Sequence, residues 1–237
     1  MTAITLFIGV LAALMVALPG PLYQLGVVDL GPAFTVMRWS VYVGGAGIVL
    51  VILHAILRKK MGWSTPRLAV AVVLSAVAVA MPVSLMQKAQ SVPAIHDITT
   101  DTQDPPVFAK IADLRADAPN PVAYQGEEVA KQQKEAYPDL QTLTFDKGTE
   151  TVFTAALKAS KDMGWQIHFA NDKVGAIEAT DTTFWWGFKD DVVIRVLPQS
   201  DGSKLDIRSK SRVGRSDLGK NAERIRAFIK KLNLNLS

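Results

Sequence analysis

Cysteine is absent from the sequence. Disulfides, thiolate catalysis and cysteine-based metal sites are therefore excluded, although the absence does not identify a compartment. Histidine is scarce. His54, His96 and His168 are far apart and no HExxH-type spacing occurs, so no metal site is expected and no cofactor is called for. A nucleophile elbow, a phosphate loop and a dinucleotide fingerprint are also missing, and Gly44-Gly45-Ala46-Gly47 lies inside an apolar span. The most informative scarcity is charge near the N-terminus. Residues 1–86 hold six charged side chains: Asp29, Arg38, Arg58, Lys59, Lys60 and Arg67. Four of them fall between Arg58 and Arg67, with long apolar runs on either side.

Those runs predict three membrane helices, at about residues 4–25, 39–57 and 68–86, within an anchor of residues 1–88. No Lys or Arg precedes the first run, and Ala17-Leu18-Pro19 is a poor cleavage site, so a retained helix is favoured over a cleaved signal. The basic loop of Arg58, Lys59, Lys60 and Arg67 is cytoplasmic by the positive-inside rule. The expected location is the plasma (inner) membrane, multi-pass, with the C-terminal domain outside the cytoplasm, in the periplasm if the cell is Gram-negative. Gly44, Gly45 and Gly47 in the second run and Ala76, Ala80 and Ser84 in the third are spaced for close helix contact.

The formal charge of +4 does not indicate nucleic acid. It belongs wholly to the anchor, because residues 87–237 carry 21 basic and 21 acidic side chains. Within them, residues 204–237 hold ten Lys/Arg against three Asp/Glu, a net of +7, which leaves residues 87–203 at −7. Such segregation makes either a local anion site or two halves that pair with each other.

Residues 89–140 are rich in Pro, Asp and Thr and read as an extended segment with turns. Residues 141–237 read as strand, helix, four strands, helix: an α+β domain whose antiparallel sheet is covered by two helices. The closing helix is expected from Asp217 to about Leu232, with Leu218, Ala222, Ile225, Ile229 and Leu232 as its apolar stripe and Ser216 as its N-cap.

Two stretches are candidates for function. In Arg208–Asp217 the alternation of a strand puts Asp206, Arg208, Lys210 and Arg212 on one face, before a turn at Gly214 into a helix N-terminus. Arg208, Arg212, Arg215, Ser216 and Arg224 are the candidate binding residues for phosphate, sulfate, carboxylate or a lipid headgroup. Pairing of those cations with Glu178, Asp190 and Asp191 is the competing reading. In the second stretch, Phe184, Trp185 and Trp186 sit in a predicted hairpin and suit a membrane surface, a protein partner or a lid over the core. Asp190-Asp191 and His96-Asp97 are adjacent pairs whose side chains point opposite ways on extended chain, so a catalytic dyad is the less favoured reading of each.

Several pieces resemble a known family: IHDITTD with PPVF (Ile95–Phe108), AYPDL (Ala136–Leu140), GW (Gly164-Trp165), DDVVIRV (Asp190–Val196) and RSKSRVGRSDLGKNAERIR (Arg208–Arg226). The chain resembles the Domain of Unknown Function 1499 over about residues 92–235 and not over the helices. The resemblance implies an envelope or membrane-associated domain and supplies no catalytic residue.

The expectation is thus a membrane-anchored extracytoplasmic module that binds an anionic ligand, a lipid headgroup or an envelope protein. Its partners would be the bilayer and an anionic lipid or envelope protein, not nucleic acid. Two alternatives stand beside it. One is an envelope enzyme acting on a lipid or cell-wall substrate through Asp190, Asp191 or His96, which is the less favoured. The other is a structural subunit of a membrane complex.

Overall fold

The computed structural model describes residues 2–57 and 65–237. They form two units. One holds the N-terminal helices up to Gln90 together with Phe184–Gly187, and the other holds Ser91–Thr183 with Phe188–Ser237.

In the helical unit, α1 (Thr2–Ala17) and α2 (Pro19–Gln24) follow one another, then α3 (Leu30–Ile56) and α4 (Thr65–Ser91). Three stretches are long and apolar enough to cross a membrane, Thr2–Gln24, Leu30–Ile56 and Pro66–Ser91, with mean hydropathies of 2.3, 1.9 and 2.5. At 1.5 Å per residue each exceeds the roughly 30 Å of a hydrocarbon core. The helices run past the uncharged stretches and take in Arg38 and Lys88. Of the basic loop, Arg58, Lys59 and Lys60 lie outside the described residues.

Small residues let these helices approach, but not all of those expected. A Cβ on Gly44 or Gly47 would meet Ser75, and one on Gly9 would meet Ala71. The Ser40 hydroxyl donates to the Ala78 carbonyl at 3.1 Å. The inward face of α4 is therefore Ala71, Ser75 and Ala78, while Ala76, Ala80 and Ser84 are exposed. Spacing of four finds a helix face but cannot say which of several small-residue faces turns inward.

The second unit is mixed α+β, built on a six-stranded antiparallel sheet. Its strands are β1 (Asp97–Thr99), β2 (Leu143–Phe145), β3 (Gln166–Asn171), β4 (Ala176–Thr182), β5 (Lys189–Gln199) and β6 (Gly202–Ser211). The order is β1-β6-β5-β4-β3, with β2 pairing further along β6. Its helices are α5 (Ile111–Leu114), α6 (Glu127–Ala136), α7 (Thr149–Asp162) and α8 (Lys220–Leu236). Residues 89–140 thus carry a strand and two helices.

One sheet face is apolar. Val192, Ile194 and Val196 alternate on β5 and Leu205 and Ile207 on β6, all buried against Val152, Phe153, Ala156 and Ala159 of α7 and Ala222, Ile225, Phe228 and Leu232 of α8. Trp165 stacks on Phe228 with ring centroids 5.7 Å apart. Helix α7 ends as its sequence predicts: Gly164 (φ 75°) donates to Lys161 O and Trp165 to Ser160 O, the paired bonds of a glycine-terminated helix.

The start of α8 differs from expectation. The helix begins at Lys220, preceded by Leu218 (φ 55°) and Gly219 (φ 78°). The Asp217 carboxylate accepts from Gly219 N at 2.7 Å and Asn221 N at 2.9 Å, so it caps the helix where Ser216 was expected to. Leu218 therefore lies outside the helix, and Phe228 takes a fully buried place in the stripe while Ile229 is partly buried.

Ile225 is fully buried, so Ile225→Asp should cost more than about 4 kcal/mol, since it places an unpaired charge in the core. Loss of protease resistance and a lowered thermal midpoint of the purified chain are the readouts.

Candidate functional site

The second sheet face carries charge, because the alternation that sends Leu205 and Ile207 to the helices sends Asp206, Arg208 and Lys210 the other way. On β1, Asp97 stands opposite Lys210. Its carboxylate accepts from Arg208 Nε at 2.8 Å and Nη2 at 2.9 Å, and from Lys210 Nζ at 2.7 Å. Asp97 and Lys210 have no exposed side-chain surface, and Arg208 has 2%. The remaining donors reach backbone of residues 105–125: Arg208 to Pro106 O at 3.1 Å and Val122 O at 3.0 Å, Lys210 to Ala123 O at 2.8 Å. Phe108 and Tyr124 stack over the Arg208 guanidinium, at 5.0 and 5.4 Å. Burial lowers the pKa of the Lys210 ammonium, with Asp97 opposing. Burial, then the Asp97 charge, pushes the Tyr124 phenol up to about 12.

A second cluster on this face centres on Asp191. Arg212 approaches it with Nε at 2.9 Å and Nη2 at 2.8 Å, Arg115 with Nη1 at 3.1 Å, and the Thr180 hydroxyl donates at 2.7 Å. Burial lowers the Arg115 pKa, and Asp191 raises it. Beside this cluster, Glu178 accepts three backbone N–H groups, from Ala109, Lys110 and Ile111, at 2.8–3.0 Å. Arg195 joins Asp101, Asp104 and Asp206. Residues 101–125 thus lie over the charged face, held by side chains of the sheet that bond their backbone.

Arg224 belongs to the opposite face. It reaches Asp190 at 2.6 Å and Asp181 at 2.8 Å from α8, and Asn221 links it to Ser209. Asp190 and Asp191 therefore serve different faces, as adjacent strand residues must. Of the candidate binding residues, Arg208, Arg212 and Arg224 are each engaged by aspartate and do not converge. Arg215 is exposed, and Ser216 Oγ accepts from Leu218 N at 3.2 Å. At the start of α8 the Asp217 carboxylate itself takes the N–H groups of Gly219 and Asn221, and Asp217 N donates to Ile95 O at 3.1 Å; burial raises the Asp217 pKa, against the hydrogen bonds from Asn221 and Gly219.

His96 is buried, its Nδ1 3.3 Å from Arg215 O, and burial lowers its pKa. Asp97 points away to Arg208 and Lys210. Among the described residues no group of three His, Asp or Glu side chains could hold a metal. An open groove of about 660 Å³ runs between residues 102–105 and α6, with Tyr124 on its wall and Glu127, Lys131, Lys134 and Glu135 around it.

The aromatic candidates lie in the helical unit. Trp186 packs on Phe34 at 4.8 Å and on Tyr23 at 6.3 Å, Trp185 is 39% exposed and Phe184 is 91% exposed.

Sequence reasoning missed Asp97, Arg115 and Tyr124. The −7 and +7 halves were compatible with pairing or with an anion site, and β1 is three residues long and gave no strand pattern to set Asp97 against Arg208.

The model of the family described as a protein of unknown function (DUF1499) matches residues 97–232, more than half of the chain. The chain belongs to that family. No curated protein matches it. The DUF1499 match opens at Asp97, the carboxylate of the first charge cluster, and closes at Leu232, the last fully buried residue of α8. Both charged clusters lie within it, as does every buried residue of the sheet-and-helix core except Ile95.

Two outcomes are expected of this DUF1499 domain. Asp97→Asn leaves two buried cations without their counter-charge and should cost about 3–5 kcal/mol in urea unfolding, with little further loss when Arg208→Met is added. The second concerns pH. The folded His96 ring has its pKa below 6.5 and the unfolded ring titrates near 6.5. As pH falls through that value the unfolded chain takes up a proton that the folded chain refuses, so stability declines until the folded ring's own lower pKa is reached. His96→Gln should remove this part of the acid slope of the urea midpoint.

Proposed function

We propose that the protein is a membrane-anchored extracytoplasmic module that acts by binding, with an envelope protein or the lipid headgroup region as its partner. The observation that carries this reading is the engagement of Arg208, Arg212 and Arg224 by Asp97, Asp191 and Asp190 at 2.6–2.9 Å. An electrostatic clamp for catalysis needs cations that face a substrate, and these face aspartates inside the domain. The acids and base of the enzyme reading, Asp190, Asp191 and His96, are buried at 4%, 0% and 6% exposure. Binding then falls to the outer surface: the groove beside α6, the exposed Arg215 and the aromatic residues 184–186.

The anchor part of the proposal rests on the three apolar helices. Three spans with a basic loop between the second and third carry the chain out of the cytoplasm at Ser91, and in a Gram-negative cell the DUF1499 domain would occupy the periplasm. A cysteine-free chain makes the test direct. Ser237→Cys should react with an impermeant maleimide in intact spheroplasts, and reaction only after lysis would overturn the orientation. The anionic form of the reading is tested by titrating the chain with phosphate and with anionic lipid. Arg215→Ala should weaken binding if the exposed guanidinium contributes, and equal binding by both chains would remove Arg215 from the site.

A further inference from the structure

Phe184-Trp185-Trp186-Gly187 follow β4 in the chain yet belong to the helical unit. Their contacts explain this. Trp186 stacks on Phe34 and lies near Tyr23. A Cβ on Gly20 would run into the Trp185 indole and carbonyl, so only glycine lets Trp185 come this close to α2. Gly187, at φ 64°, brings its backbone against the Gln24 side chain. The four residues therefore seat on residues 20–34, where the first apolar span ends and the second begins.

Seating on this scaffold leaves one side of the loop apolar and uncovered. Phe184 is 91% exposed and Trp185 39%, and the turn between α2 and α3 adds Leu25 at 75% and Val27 at 69%. In water that is apolar area exposed without return. Its position suggests another medium. It continues the lipid-facing surface of the spans, at the ends of the helices that lie away from the basic loop. At such ends an indole can put its ring among acyl chains and its N–H among headgroups, which is where tryptophan concentrates.

We propose that Phe184 and Trp185, together with Leu25 and Val27, enter the headgroup–acyl boundary of the bilayer and form an interfacial anchor at the extracytoplasmic ends of the spans. The inference rests on the membrane reading of the three helices and adds to it a lipid contact from a residue 93 positions beyond α4, counted from Ser91 to Phe184.

The absence of cysteine allows single-site labels on the full-length chain. Phe184→Cys, Val49→Cys and Asp201→Cys would each carry an environment-sensitive fluorophore in vesicles of phosphatidylethanolamine and phosphatidylglycerol. Val49 is 54% exposed on α3 and reports the span, and Asp201 is exposed in the β5–β6 turn and reports water. The label at 184 should be blue-shifted relative to that at 201, quenched by lipids bearing a quencher near the headgroup, and protected from aqueous iodide. Iodide quenching at 184 equal to that at 201, with the label at 49 still quenched only from lipid, would overturn the anchor and leave the membrane reading intact. A label at 184 shielded from both quenchers would also overturn it, in favour of a protein contact. Iodide access at 49 would overturn both readings together.

Discussion

Asp97 pairs with two buried cations at once, Arg208 and Lys210, and that part of the charged sheet face depends on it. Arg208 and Lys210 leave β6 on the same face, two residues apart, in a place closed to water. Burying either alone would cost several kcal/mol. A carboxylate placed opposite them by the β1–β6 register, with three backbone carbonyls accepting from the same two side chains, makes that burial tolerable. The same bonds fix residues 105–125, which have little regular structure of their own. Order in that stretch is imposed from the sheet outward.

The same pairing runs through the other buried acids of the domain. Each buried acid is committed: Asp97 to β6, Asp191 to Arg212 and Arg115, Asp190 to Arg224, Glu178 to three amides at the start of α5. Where pKa values shift, as at His96, Arg115, Tyr124, Lys210 and Asp217, burial is the first cause, and for Arg115 and Lys210 an aspartate partner opposes it.

Much of this was legible from residue order. The uncharged runs gave the apolar helices, strand alternation gave the two faces of β6, and the opposed charges of residues 87–203 and 204–237 gave the tendency to pair. The partners were harder. Glu178 stood among the candidate partners of the arginines, and instead its two oxygens accept amide protons, because a nearby loop offers three N–H groups in a row. Ser216 looked like the cap of α8, but the positive φ of Leu218 and Gly219 moved the helix start and gave the task to Asp217. Such outcomes turn on loop geometry, for which local sequence has no periodic signal. Residues 89–140 concealed most for the same reason: a three-residue strand and a four-residue helix are too short to leave a pattern.

Gln133 of α6 makes one further arrangement worth following. Its side-chain amide accepts from Thr99 N at 3.0 Å and donates to Thr99 O at 2.6 Å. Thr99 lies on β1, the outer strand of the sheet on that side. The amide of Gln133 thus imitates one residue of a neighbouring strand and closes the hydrogen-bonding edge at that point. A bare strand edge recruits other chains and starts aggregates. Here a single glutamine, supplied by a helix that contributes little to the core, takes up the outward-facing N–H and C=O of Thr99 and blunts this edge of the sheet for strand addition.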